Sequence, residues 1–149
     1  MDRRTRLELM TQALATLAGS DWGDFVLFED LQTRDYVQLA VAPSVGEADG
    51  SVPCHVSLPL TADESIPKAQ MEVTDRGVGA DGPPPGMPPL GPSQIAAIEH
   101  RGFALSNHPN YTVFIDLDHV DAIAEECEHV FRILGSSASF ELGVTIHVS

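Results

Sequence analysis

Six histidines and two cysteines are the residues with the widest chemical reach in this 149-residue chain. His55, His100, His108, His119, His129 and His147 are scattered, and Cys54 and Cys127 each have a histidine close by. Cys54 and His55 are neighbours and would face opposite sides of a strand. Cys127 and His129 stand two apart on a helical segment, so their side chains diverge. His119 and His129 do not share a helical face. None of these spacings suits a zinc site, and the histidines read as surface residues. Ser106, Ser136 and Ser139 have no neighbour in sequence that would activate a nucleophile. No G-x-S-x-G, phosphate-cradling loop or dinucleotide fingerprint occurs, and "GVGADG" lacks the lysine and the following helix that a P-loop needs. The expectation is no catalytic residue, no metal and no cofactor, with both cysteines reduced.

Eight basic residues against 22 acidic ones give a net charge of −14, which argues against nucleic acid and against anionic membranes. No apolar run approaches the roughly 18 residues of a membrane span. "MDRRTRLELM" has neither the long apolar stretch nor the cleavage site of a signal peptide. A cytoplasmic protein is expected, and Arg3, Arg4 and Arg6 read as a solvated helix start. Hydrophobic residues make up 43% of the chain, enough for one domain with its own core.

The elements follow from periodicity. Leu7, Met10, Leu14 and Leu17 mark a helix over 4–18, with Gly19 as its stop. "DWGDFVLFEDLQTRDYVQLAVAP", residues 21–43, reads as strands at about 24–29 and 35–42 joined by a polar turn. Phe25 and Leu27 face one way, and Val26 and Phe28 the other. "VPCHVSLPL" suggests a strand at a sheet edge, because of Pro53 and Pro59, and "AQMEVTDRG" another. A Pro/Gly-rich loop covers about 76–92, with six prolines between Pro83 and Pro92. "PPGMPPL" within it contains a PxxP-like spacing, so besides a surface loop it allows a ligand for a proline-binding groove.

A short helix then starts at Pro92 or Ser93 and ends at Gly102, with Ile95 and Ile98 on one face. "YTVFIDL" at 111–117 is a strand. Asp118 is expected to cap a third helix over about 119–134. Val120, Ile123, Cys127, Val130 and Leu134 form its buried stripe, and Asp121, Glu125, Glu126 and Glu128 its solvated side. Phe140, Leu142, Val144, Ile146 and Val148 alternate in a closing strand. The sum is one α+β domain over 1–149: a mostly antiparallel twisted sheet with helices on one face, in the order helix-strands-helix-strand-helix-strand.

Three stretches carry a resemblance to a known family. "WGDFVLFEDLQTRDYVQLAVAP" looks like the opening hairpin of the bacterial TY-Chap domain, in the type III secretion chaperone-like and YbjN-like superfamily. "IAAIEHRGFALSNHPNYTVFID" looks like that domain's middle helix, with its glycine–aromatic stop, and "VDAIAEECEHVFRILG" like its closing helix. The resemblance covers about residues 5–148. Phe103 stands where the family often has tryptophan, and the proline-rich stretch is longer than its pattern. The resemblance implies a binding fold whose free surface serves dimerisation or extended clients, with no catalytic residue to carry over.

The doubly apolar hairpin fits that implication. Helices cover one face of a sheet, and the other still carries apolar side chains, a patch that monomers seldom expose. Phe25, Tyr36, Gln38 and Ala40 are the expected partner-binding residues, and a homodimer or a client protein the expected occupant. Folding of 46–92 over that face is the competing expectation. The acidity also suits an immunity protein that docks on a basic toxin. An enzyme in which His100, His108 or His147 meets a carboxylate in a cleft is the remaining alternative.

Overall fold

The computed structural model describes residues 1–42, 65–74, 90–105 and 111–148. Helix α1, Arg3–Ala18, begins where the Asp2 carboxylate accepts the Thr5 N–H at 2.8 Å. Those hydrogen bonds from Thr5 hold the Asp2 carboxyl below its ordinary value. Met10, Ala13, Leu14 and Leu17 form its buried stripe, and Leu7 packs at the margin. Strands β1, Phe25–Asp30, and β2, Tyr36–Ala42, pair antiparallel with Phe25 opposite Ala40. Their turn is built by Asp30, whose buried carboxylate accepts the N–H groups of Gln32 and Thr33 at 2.9 and 3.3 Å. Arg34 closes it in the left-handed region, with φ 67°, and donates its N–H to the Asp30 carbonyl at 2.7 Å.

Strand β3, Lys68–Val73, lies inside the sheet, between β2 and β5, Tyr111–Asp116. It corresponds to the strand expected in "AQMEVTDRG". The expected strand at 52–60 lies outside the described residues, as does the proline-rich stretch up to Pro89. Helix α2, Pro92–His100, has proline in its first turn and buries Ile98. Gly102, with φ 99°, ends it as expected. The two-residue β4, Ala104–Leu105, pairs with β5, Tyr111–Asp116. Helix α3, Val120–Leu134, leads to β6, Leu142–His147. The N-cap of α3 is His119 and not Asp118; Asp118 instead accepts the His119 N–H at 2.8 Å, one residue too early to reach the helix's free donors.

Among the described residues, six strands form one sheet in the order β4-β5-β3-β2-β1-β6, with every pairing antiparallel. The fold class is therefore α+β, as expected. β5 and β6 are separated by three strands, a step of about 19 Å across the sheet. With 15 residues, α3 is about 22 Å long, which suits it to carry the chain over that gap. The core fills the space between the helices and the sheet face that presents Val26, Phe28, Val37, Leu39, Met71 and Val113. α2 lies against α3, where the Gln94 amide donates to the carbonyls of Ile133 and Leu134. Among the described residues, no helix is long and apolar enough to cross a membrane.

The solvated reading of Arg6, Glu126 and Glu128 is overturned. All three are at most 5% exposed. Arg6 meets Glu128 through two bonds of 2.9 and 2.8 Å, and its other donors reach the carbonyls of Met1, Phe140 and Ala138. Its guanidinium also lies 4.1 Å from the centroid of the Phe140 ring. All five guanidinium N–H groups are used, so the burial leaves no donor unpaired. Glu126 pairs with Arg101 in the same two-pronged way. Arg6 thus ties α1 to α3 and to the segment before β6. Asp121 and Glu125 are exposed, as expected.

Candidate functional site

Strand alternation gives the sheet a second face, on the side away from the helices. The registers arrange its side chains in cross-strand rows. One row runs His147, Phe25, Ala40, Gln70, Phe114 across five strands. The next runs Thr145, Leu27, Gln38, Glu72, Thr112. At one end Tyr36 stands opposite Glu29; at the other Ala42, Lys68 and Asp116 are aligned.

All four residues expected at the binding surface, Phe25, Tyr36, Gln38 and Ala40, lie on this face, on the adjacent strands β1 and β2. Each is half-buried. Alternation had already placed Leu27 beside Phe25, but the sequence reading did not bring Gln70, Glu72 or His147 to this surface. Leu27, Gln70, Glu72 and Phe114 are half-buried beside them, and His147 stacks on Phe25 with ring centroids 5.2 Å apart and planes at 19°. The alternation of Gln70 and Glu72 with Met71 and Val73 held the signal for β3. The position of β3 between β2 and β5 did not show in the sequence.

The chemistry of this face is graded. Lys68 and Asp116 form a salt bridge directly across β3 and β5, and both are buried. The middle is aromatic and aliphatic, interrupted by the amides of Gln38 and Gln70. Such a mixture offers apolar area together with side-chain donors and acceptors, as polypeptide recognition requires.

The other reactive groups are elsewhere. Cys127 is fully buried in α3, and burial, followed by the nearby Glu126 and Glu128 carboxylates, pushes its thiol well above its ordinary value. That makes it an inert core thiol. His100 and His129 are exposed on α2 and α3. Desolvation, followed by the Arg101 charge, lowers the affinity of His129 for a proton. Ser139 accepts the Met1 ammonium through its carbonyl at 2.9 Å. The Ser136 hydroxyl oxygen is buried with no hydrogen-bond partner. Cys54, His55, Ser106 and His108 lie outside the described residues. Among the described residues, no three His, Cys, Asp or Glu side chains are grouped to hold a metal ion.

Comparison with models of protein families, with curated proteins and with solved structures gives no match.

Proposed function

We propose that this protein is a non-catalytic, chaperone-like binding module whose contact surface is the second face of the sheet. The observation that carries the reading is the row Phe25, Ala40, Gln70, Phe114 with Leu27, Gln38 and Tyr36 beside it, on the face away from the helices. An extended segment of a partner protein, or a second copy of the chain, would cover these half-buried aromatic and aliphatic groups and satisfy the two glutamine amides. The resemblance to the TY-Chap domain points in the same direction. A cytoplasmic setting belongs to this reading, and so does the absence of any nucleic-acid or membrane partner.

The net charge of −14 favours one further reading, an immunity protein steered onto a basic toxin. The two differ in salt dependence. An electrostatically steered complex weakens steeply as salt rises, whereas an apolar sheet contact changes little.

The test is a set of single substitutions. Tyr36→Glu and Gln38→Glu put charge on the second face, and Leu39→Glu puts it in the core on the other side of β2. The first two are expected to keep the wild-type melting transition and lose the partner; the third is expected to unfold the protein. If Tyr36→Glu unfolds the chain without changing association, the face is structural and the proposal fails.

A further inference from the structure

We infer that two copies of this chain associate through their β6 strands, edge to edge, about a two-fold axis at Thr145. This concerns a different surface from the second sheet face and does not rest on that reading.

The two edges of the sheet are unequal. β4 is two residues long, whereas β6 has six and pairs on one side only, with β1. Among the described residues, nothing pairs with the outer edge of β6. Proteins usually protect such an edge with charge, proline, a bulge or a short strand. Residues 142–148, "LGVTIHV", contain no Asp, Glu, Lys, Arg or Pro. The β1–β6 register also runs from Phe25–His147 to Asp30–Leu142 without a bulge. Two apolar side chains are left open there: Ile146 is 45% exposed and Val148 43%.

The occupant follows from charge and symmetry. Copies that each carry −14 repel one another over most of their surface. The β6 edge is a charge-free strip on which two copies can meet. Among the described residues β4 offers only two positions for a head-to-tail β6–β4 contact, which favours the closed, isologous pairing.

In a symmetric antiparallel pair, opposite residues must share a face, so the axis passes through a residue. An axis at Thr145 uses the whole segment. It sets Ile146 opposite Val144 of the partner copy, and Val148 opposite its Leu142. The exposed pair on one copy is thereby covered by the half-buried and buried pair on the other. Gly143 meets His147 on the second face. The result is one twelve-stranded sheet with its two second faces continuous across the axis.

The test uses the full chain. Size-exclusion chromatography with light scattering is expected to show a concentration-dependent dimer. The double variant Ile146→Lys/Val148→Lys is expected to keep its melting transition and weaken self-association by about tenfold or more. Thr145→Cys is expected to form a disulfide-linked dimer on mild oxidation where the wild type does not, because residues opposed at the axis lie about 4.5–5.5 Å apart between Cα atoms. Tyr36→Glu is expected to leave this dimer intact, which separates its failure from failure of the sheet-face reading. The crosslink decides the matter if the lysine variant is unfolded. A wild type that stays monomeric to roughly 100 µM, the range of small interfaces, would overturn the inference. So would a dimer that survives the two lysines, or one that Thr145→Cys fails to link.

Discussion

Replacing Arg6 with methionine tests the packing argument most severely. Methionine keeps much of the aliphatic volume against Phe140, so the change is mainly electrostatic. It leaves the Glu128 carboxylate, 5% exposed, without its two donors of 2.9 and 2.8 Å. It also strips hydrogen bonds from the carbonyls of Phe140, Ala138 and Met1. Removing one partner of a buried ion pair costs about 3–5 kcal/mol, against a total stability of roughly 5–15 kcal/mol. At about 2–4 °C per kcal/mol for a chain of this size, the melting temperature should fall by about 6–20 °C. Urea unfolding followed by circular dichroism measures the loss directly. Arg6→Met/Glu128→Leu removes both charges and should recover most of it, since an apolar pair of similar volume often replaces a buried ion pair without cost. A single variant within about 1 kcal/mol of wild type would show that the Arg6–Glu128 pair does not hold the packing, as would a double variant that loses the sum of both single losses.

Two other predictions concern backbone and titration. Arg34 occupies the left-handed region, and its ion pair with Glu29, at 3.3 Å, is exposed. Arg34→Gly should therefore raise stability by about 0.5–1 kcal/mol, read as a higher urea midpoint. The Cys127 thiol is raised above 9.0, its ordinary value, so the unfolded chain loses that proton first. Stability should hold up to about pH 9 and fall as pH rises further, and the fall should be absent in Cys127→Ala.

The hairpin was legible because its two strands alternate cleanly, and a one-residue offset in their ends does not alter which side chains face the helices. α1 and α3 were legible from their apolar stripes. The buried charges were not. Periodicity treats Arg6 and Glu128 as surface residues, and they are 122 positions apart. A signal did exist: Arg6 precedes Met10 by four and Leu14 by eight, which places it on the buried stripe. Glu128 likewise stands four after Ala124. The closing strand shows the opposite limit. Its alternation was right in phase, yet Ile146 and Val148 remain exposed, because the sequence does not reveal that β6 ends the sheet. For the candidate site, Phe25, Tyr36, Gln38 and Ala40 could be placed on one face from local alternation alone. Gln70, Phe114 and His147 join them only through long-range strand order.

Whether partners meet the second sheet face is read from one comparison of capture from the native host. Wild type and Tyr36→Glu are used as bait at equal concentration, with their melting curves measured alongside. A stoichiometric partner is expected on the wild type, with at least about tenfold less of it on Tyr36→Glu and superimposable melting curves. Equal capture by both baits, with both folded, would contradict contact through this face.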